Sequence, residues 1–187
     1  MSRSDLPDSV AANVKQWTRT NAEHTDARAR DAWDSAEITW GVFRVPQSVV
    51  GCLGDVGGLD VVELGCGTAY FSARLKRRGA RPVGVDRTPA QLATARRVMA
   101  ETGISFPLVE APAESVPLSD ASFDLAISEY GASLWADPDR WLPEAARLLR
   151  PRDASCSSRA PSSRRGALRT RGRSWTGSCA TSSGCTG

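Results

Sequence analysis

The stretch Asp60–Ala69, DVVELGCGTA, decides the fold of this chain. An apolar run ends in the acid Glu63, and two glycines then follow one residue apart. A second strand-like run, Arg81–Asp86 (RPVGVD), also ends in a carboxylate. This order is typical of a strand, a tight backbone turn, a helix start and a second strand that carries a sugar-binding acid. It predicts a nucleotide-type cofactor at the carboxyl edge of a parallel sheet.

The chain beyond the glycine turn continues this alternation of strands and helices. Periodicity and the breakers between apolar runs predict a helix at 70–78, a helix at 89–102, strands at 106–109 and 123–128, and a helix around 141–149. We therefore predict an α/β fold with a Rossmann-like parallel sheet and flanking helices, truncated after the fourth strand and the helix that follows it.

Composition divides the chain into an N-terminal helical or lid segment (1–56), a cofactor-binding core (57–151) and a basic tail (152–187). In the first segment, a short helix from Pro46 is expected to bury Val49, Val50 and Leu53. The tail has seven arginines, nine serines and one acid, so it carries a charge of +6 and the rest of the chain −3. Such a segment buries too little apolar surface to offset its chain entropy, and we predict that it is disordered.

The totals indicate a globular protein without a membrane span. The 187 residues are 41% hydrophobic and 24% charged, and no apolar stretch approaches the roughly 20 residues that cross a bilayer. The N-terminus lacks the apolar run of a secretory leader, so a cytoplasmic protein is the simplest interpretation. Five cysteines without C-x-x-C spacing predict neither a metal site nor a disulfide framework.

The chemistry of the glycine turn favours a cationic ligand over a dinucleotide. Tyr70 stands where the dinucleotide fingerprint has its third glycine. Glu63 lies two residues before the turn, where it would repel a pyrophosphate and attract a cation. With Asp86 for a ribose, the pattern points to S-adenosylmethionine.

Four segments in order resemble the class I S-adenosylmethionine-dependent methyltransferases, in particular their small-molecule "type 11" branch. These segments are ELGCGTA from Glu63, VGVD ending at Asp86, AESVPL with SFDL between Ala113 and Leu125, and RLLRP ending at Pro151. The resemblance implies cofactor contacts for Glu63, Gly65, Cys66, Gly67, Asp86, Ala113, Glu114 and Ser128. Glu63 and Ser128 would lie at the methionine end, Asp86 would bind the ribose, and Ala113 would meet adenine through its backbone.

The chain departs from this family at two places. Pro112 stands where the family usually has an aspartate directed at the adenine amino group, so Glu114 is expected to assist there. After Pro151 the family continues with two glycines and a buried fifth strand, whereas this chain continues with the arginine- and serine-rich tail. Codons for the tail read in another frame can spell such a strand, and we interpret residues 152–187 as a frameshift product.

The catalytic residues are expected in the loop after the fourth strand. Glu129 and Tyr130 are the candidates for acid–base roles, and Trp135 for a wall of the acceptor pocket; a solvated acid and ordinary packing are the competing interpretations. His24, the single histidine, is more simply structural. Trp17 and Trp40 are expected to stack on the core or on the ligand.

Four functions compete on the sequence. The leading one is a methyltransferase that acts on a small-molecule acceptor, without metal, membrane or nucleic acid. A truncated protein that at most binds the cofactor is the second. An NAD-dependent oxidoreductase is disfavoured by Glu63 and Tyr70, and a nucleic-acid binder by the frameshift interpretation of the tail. The acceptor and the oligomeric state stay open.

Overall fold

The computed structural model describes residues 8–151, 167–170, 173–176 and 179–181. Its helices are α1 (Asp8–Thr20), α2 (Asp26–Asp34), α3 (Gln47–Val50), α4 (Tyr70–Arg77), α5 (Pro89–Thr102), α6 (Ala132–Trp135) and α7 (Pro138–Leu148), with a π-helical turn, Asn21–Thr25, between α1 and α2. Its strands are β1 (Thr39–Trp40), β2 (Val45–Pro46), β3 (Asp60–Leu64), β4 (Arg81–Asp86), β5 (Leu108–Glu110), β6 (Leu125–Ile127), β7 (Ala167–Thr170), β8 (Arg173–Thr176) and β9 (Cys179–Thr181).

A parallel sheet of four strands in the order β5-β4-β3-β6 forms the centre of the fold. In its register Val62 lies opposite Val83 on one side and Ala126 on the other. The strands connect through α4, α5 and the loops before β6, as expected for right-handed crossovers. The predicted Rossmann-like α/β fold is confirmed, although β5 begins two residues later than the sequence pattern placed it.

Both faces of this sheet are covered, which explains why β3 is a continuous apolar run. Val61 packs with Phe71 and Leu75 of α4, whereas Val62 packs on the other face with Trp141 of α7. Alternate residues of a strand point to opposite faces, so a strand covered on both sides has apolar residues throughout. Within the described residues, no helix is long and apolar enough to cross a membrane.

The structure describes three short strands within the tail. Strands β7, β8 and β9 form an antiparallel meander, and β9 pairs antiparallel with β6, opposite Leu125–Ile127. The remainder of 152–187 lies outside the described residues, and the frameshift origin and the division into three segments stay predictions.

The N-terminal segment packs against the helices of the core through α2. Trp33 is fully buried, stacks on Phe106 with ring centroids 5.7 Å apart, and donates from Nε1 to the carbonyl of Thr68 at 2.8 Å. The expected burial of the helix from Pro46 is wrong for Val49 and Val50, which are 67% and 36% exposed, because α3 is a single turn at the surface. It is confirmed for Leu53, which is buried beyond the end of α3. Trp33 therefore connects α2 directly to the glycine turn.

We predict that Trp33→Phe destabilises the protein by about 1–3 kcal/mol, because the buried Thr68 carbonyl loses its donor. Urea denaturation of the purified full chain measures the change. Trp135→Phe is the matched control, since its half-exposed indole also donates to a backbone carbonyl, at 3.2 Å, and its loss should cost less than about 1 kcal/mol. Equal losses in the two variants would contradict the structural role of Trp33.

Candidate cofactor site

A cavity of about 260 Å³ opens at the carboxyl edge of the parallel sheet. Its walls come from the loops after β3, β4, β5 and β6 and from α1. Eight of the residues predicted from the sequence line it: Gly65, Cys66, Gly67, Asp86, Ala113, Glu114, Glu129 and Tyr130. Glu63 and Ser128 do not line it.

The glycine turn forms the floor of the cavity and is fixed to β4. The amides of Gly65 and Cys66 both donate to the carbonyl of Val85, at 2.8 and 2.9 Å. Gly65 and Gly67 have φ of +76° and +55°, which glycine adopts without steric cost. The loop after β6 approaches so closely that a Cβ on Gly131 would lie 2.3 Å from the Gly65 carbonyl oxygen. Both Gly65 and Gly131 must therefore be glycine for the two loops to approach this closely.

We predict that Gly131→Ala costs at least about 2 kcal/mol in the free energy of unfolding, because the added methyl group separates the two loops. Gly57→Ala is the control, since its Cβ would meet the carboxylate end of Asp55 at 3.2 Å, which can turn aside. Thermal or urea unfolding of both variants tests the contact. A Gly131→Ala protein as stable as Gly57→Ala would contradict it.

Asp86 lies at the end of β4 with its carboxylate on the cavity wall. Its two oxygens accept from the amide of Gly67 at 2.8 Å and from the amide of Thr88 at 2.7 Å. Burial raises the pKa of this carboxyl, while the two backbone amides act in the opposite direction. The second bond closes a local turn before α5, whose N-cap residue is Thr88, and the first bond links β4 to the glycine turn.

Glu63 points away from the cavity. It is 2% exposed, and its Oε2 accepts from the amide of Ser72 at 2.9 Å and from the Ser72 hydroxyl at 2.5 Å. Burial raises the pKa of Glu63 to about 8, and the charges of Glu129 and Asp86 add to the rise. The carboxyl group of Glu63 thus lies against the first turn of α4, and the predicted contact with the cofactor finds no support in this geometry.

We predict that Glu63→Gln becomes more stable relative to the natural protein as pH rises. The unfolded carboxyl ionises near its ordinary value of 4.5, whereas the folded one keeps its proton until about pH 8. Stability therefore falls between those pH values in the natural protein, and the neutral glutamine lacks this dependence. Urea denaturation at pH 5 and pH 8 should show a relative gain on the order of 3 kcal/mol. A pH-independent difference would show that Glu63 is ionised in the fold.

Glu129 connects the loop after β6 to α4 and to the turn between β1 and β2. It is 8% exposed, and its Oε1 accepts from the amide of Gly41 at 3.0 Å while its Oε2 accepts from the Tyr70 hydroxyl at 2.9 Å. Tyr70 lies below Arg74, whose guanidinium carbon is 5.0 Å from the ring centroid. Burial and the adjacent Glu129 raise the pKa of Tyr70, so its hydroxyl stays a proton donor in this bond.

Ser128 and Cys66 serve the framework of the site. Ser128 is fully buried, donates to the carbonyl of Leu64 at 2.9 Å and accepts from the amide of Ser133 at 3.0 Å. It therefore fixes the end of β6 to the end of β3. The thiol of Cys66 is buried against Gly84, and burial raises its pKa, as expected for a small packing residue inside the turn.

The aromatic residues after β6 line the outer part of the cavity. Tyr130 and Trp135 are 44% and 46% exposed, and Tyr130 has φ of +52°. The ring of Trp17 meets that of Trp135 edge-on at 5.1 Å, and Asn13 of the same helix donates to the Trp135 carbonyl at 2.8 Å. Helix α1 therefore covers the cavity from the side of the aromatic residues.

The sequence did not identify three lining residues of α1, namely Val10, Asn13 and Val14. The helical spacing of Val10, Val14 and Trp17 is visible in the sequence, but the same spacing is typical of a helix that faces the core.

The indole of Trp40 packs on Phe71 in the core, with ring centroids 5.0 Å apart. His24 is exposed on the surface, 4.0 Å from Glu23, away from the cavity.

The loop after β5 completes the wall beside Asp86. Ala111, Pro112, Ala113 and Glu114 all line the cavity, and Glu114 also accepts from the amide of Asp137 at 3.3 Å. Arg87 is the basic lining residue on this side, with Nη1 3.5 Å from Glu110. In the part of the chain described, no group of three or more potential metal ligands occurs.

The fold and the site together define a class of protein. A parallel sheet with this strand order, a glycine turn after the first strand of the core and an acid at the end of the second are the features of class I S-adenosylmethionine-dependent methyltransferases. Residues 62–154 match the family model of the methyltransferase domain, and this part of the chain belongs to that family.

Sequence relatives with assigned names are also methyltransferases. The chain is 40% identical over 91 residues to an uncharacterized methyltransferase of Mycobacterium bovis, covering 49% of this chain and 35% of that protein. It is 36% identical over 93 residues to the demethylmenaquinone methyltransferase of Thermus thermophilus, covering 49% and 42%. A ubiquinone/menaquinone biosynthesis C-methyltransferase of Haemophilus ducreyi is 28% identical over 148 residues, covering 76% and 57%. The chain thus spans between about a third and somewhat over half of these relatives.

Solved structures agree on the fold. A crystal structure of an S-adenosylmethionine-dependent methyltransferase from Aquifex aeolicus has a TM-score of 0.51 at 17% identity, covering 56% of this chain and 58% of that one. A structure from Methanococcus maripaludis has a TM-score of 0.53 at 16% identity, covering 81% and 64%.

Proposed function

We propose that this chain binds S-adenosylmethionine in the cavity and transfers its methyl group to a small-molecule acceptor. The charge of the cavity wall carries the proposal. Three acids, Asp86, Glu114 and Glu129, line the cavity against one base, Arg87. Such a wall favours a cation and disfavours the pyrophosphate of a dinucleotide, so an NAD-dependent oxidoreductase is not favoured.

The residues present fit the parts of this cofactor. Asp86 offers carboxylate oxygens at the end of β4, where a ribose diol would donate two hydrogen bonds. The glycine turn lets the ligand lie against its backbone. The loop of Ala111 and Ala113 supplies apolar contacts and backbone atoms for adenine, and Pro112 contributes no side-chain polar atom there.

In the reaction, the chain mainly positions the reactants and excludes water. The bound cofactor supplies an already activated methyl group, which a nucleophile takes by in-line displacement. Helix α1 and its Trp17 cover the site, which favours a dry and fixed approach of the acceptor. Tyr130 and Glu129 are the predicted candidates for removing a proton from the acceptor; of the two, Tyr130 is the more exposed.

The walls of the outer cavity indicate the kind of acceptor. Tyr130, Trp135 and Trp17 present aromatic surface there, which favours a planar apolar molecule. Two relatives are named for demethylmenaquinone and for ubiquinone and menaquinone biosynthesis. A short-chain hydroquinone is therefore the first acceptor to assay, with a catechol and a primary amine as alternatives.

We predict that Asp86→Asn weakens the binding of S-adenosylmethionine by about 10- to 100-fold. Hydrogen bonds to a charged group contribute about 1.5–3 kcal/mol, and the ribose would lose them. Isothermal titration calorimetry on the full chain measures the affinity, after urea denaturation has shown that the variant is folded. Asp31→Asn, which removes one exposed acid of α2, is the control and should bind as the natural protein does.

The same titrations separate the proposed function from its rivals. Tighter binding of NAD than of S-adenosylmethionine by the natural chain would refute it. Binding of S-adenosylmethionine without methyl transfer to any acceptor of the panel would favour the second hypothesis, a cofactor-binding protein that lacks part of the catalytic domain.

A further inference from the structure

Two buried glutamates flank the glycine turn, and the fold uses them differently. Glu63, at the position that the resemblance assigns to the methionine end, is turned into α4 and accepts two bonds from Ser72. Its carboxyl group does not line the cavity, and burial raises its pKa to about 8. The fold therefore needs another anionic group if the cavity is to hold a cationic amino-acid moiety.

Glu129 occupies the wall that Glu63 does not reach. It follows Ser128, which holds the end of β6 to the end of β3, and it precedes the contact between Gly131 and Gly65 by two residues. The Glu129 carboxylate is therefore held beside the glycine turn. A backbone amide and a hydroxyl, from Gly41 and Tyr70, each donate one bond to it, and both donors are neutral.

Arg74 interacts electrostatically with this carboxylate but forms no ion pair with it. Arg74 stacks on the Tyr70 ring and donates to the carbonyl of Ala32 at 3.0 Å. None of the ion pairs found among the described residues includes Glu129. A carboxylate oxygen has room for a second hydrogen bond, so each oxygen of Glu129 can still accept from a ligand.

We propose that Glu129 is the anionic group that binds the ammonium of the cofactor's amino-acid end, and that Tyr70 and Gly41 position it for this role. The proposal rests on the proposed function, because it assigns a part of the same ligand to a residue. It gives Glu129 a binding role in place of the acid–base role expected from the sequence. It also explains how the site tolerates a Glu63 that does not line the cavity.

Three adenosine ligands distinguish the role of Glu129. S-adenosylmethionine carries a sulfonium and an ammonium, S-adenosylhomocysteine carries the ammonium without the sulfonium, and methylthioadenosine has neither. Calorimetry with Glu129→Gln at pH 7 should show at least a 10-fold loss of affinity for the first two ligands and less than a 2-fold loss for methylthioadenosine. Loss for S-adenosylmethionine with unchanged S-adenosylhomocysteine would assign Glu129 to the sulfonium and overturn the proposal.

Matched variants distinguish a ligand-binding role of Glu129 from a structural one. Glu63→Gln should change none of the three affinities by more than 2-fold, because that residue does not line the cavity. Tyr70→Phe retains the Glu129 carboxylate but removes the hydroxyl that donates to it. This variant should therefore weaken the binding of S-adenosylhomocysteine less than Glu129→Gln does. Equal losses for all three ligands in Glu129→Gln would show a merely structural role and would refute the proposal.

The remaining outcomes are equally decisive. Unchanged affinities with lost methyl transfer would make Glu129 the base and overturn the proposal. If Glu129→Gln does not fold, hydrogen exchange on the natural chain replaces it: S-adenosylhomocysteine should protect the Gly41 amide by several-fold more than methylthioadenosine, and equal protection refutes the role. A natural chain that binds none of the three ligands refutes the proposed function itself.

Discussion

The contact between two backbone loops, the glycine turn after β3 and the loop after β6, is the constraint on which the site depends. A Cβ at either Gly65 or Gly131 would lie within 2.5 Å of the opposite backbone. Because the loops touch without side chains between them, the residues on either side of the contact lie at one cavity. Asp86 joins from β4 through its bond to the Gly67 amide. The position of every charged group in the cavity follows from this backbone geometry.

Burial then gives chemically similar acids different properties. Burial raises the pKa of Glu63 to about 8, although the hydroxyl and the amide of Ser72 act in the opposite direction. Burial also raises the pKa of Asp86, and its two amide donors likewise oppose the rise, but the Asp86 carboxylate lies on the cavity wall whereas Glu63 does not line the cavity. Glu129 keeps one free side toward the cavity. The acidic character of the cavity wall therefore arises from Asp86, Glu114 and Glu129, and Glu63 does not contribute to that wall.

The parts of the fold that local rules determine were predictable from the sequence. The bounds of α5 follow from Pro89 at its first turn and from Gly103, which ends it with φ of +71°. Long-range choices were not predictable. The residues next to Glu63 in the sequence do not show that Ser72 would donate hydrogen bonds to its carboxyl group. The apolar stripe of α1 has the same spacing whether it faces a core or a ligand. Strand β5 begins late because Phe106 leaves the strand to stack on Trp33.

Helix α1 forms the outer wall of the cavity through contacts that are separate from those of the floor. The π-helical turn after α1 is fixed to α5, where Asn21 donates to Thr94 at 3.0 Å and Asp26 accepts from the same hydroxyl at 2.5 Å. From α1 itself, Asn13 and Trp17 contact Trp135, which is partly exposed. The glycine turn and Asp86 are held by bonds of their own, because the Gly65 and Cys66 amides donate to the Val85 carbonyl and the Gly67 amide donates to Asp86. The outer wall and the floor of the cavity therefore depend on different contacts, and a change in α1 need not disturb the glycine turn.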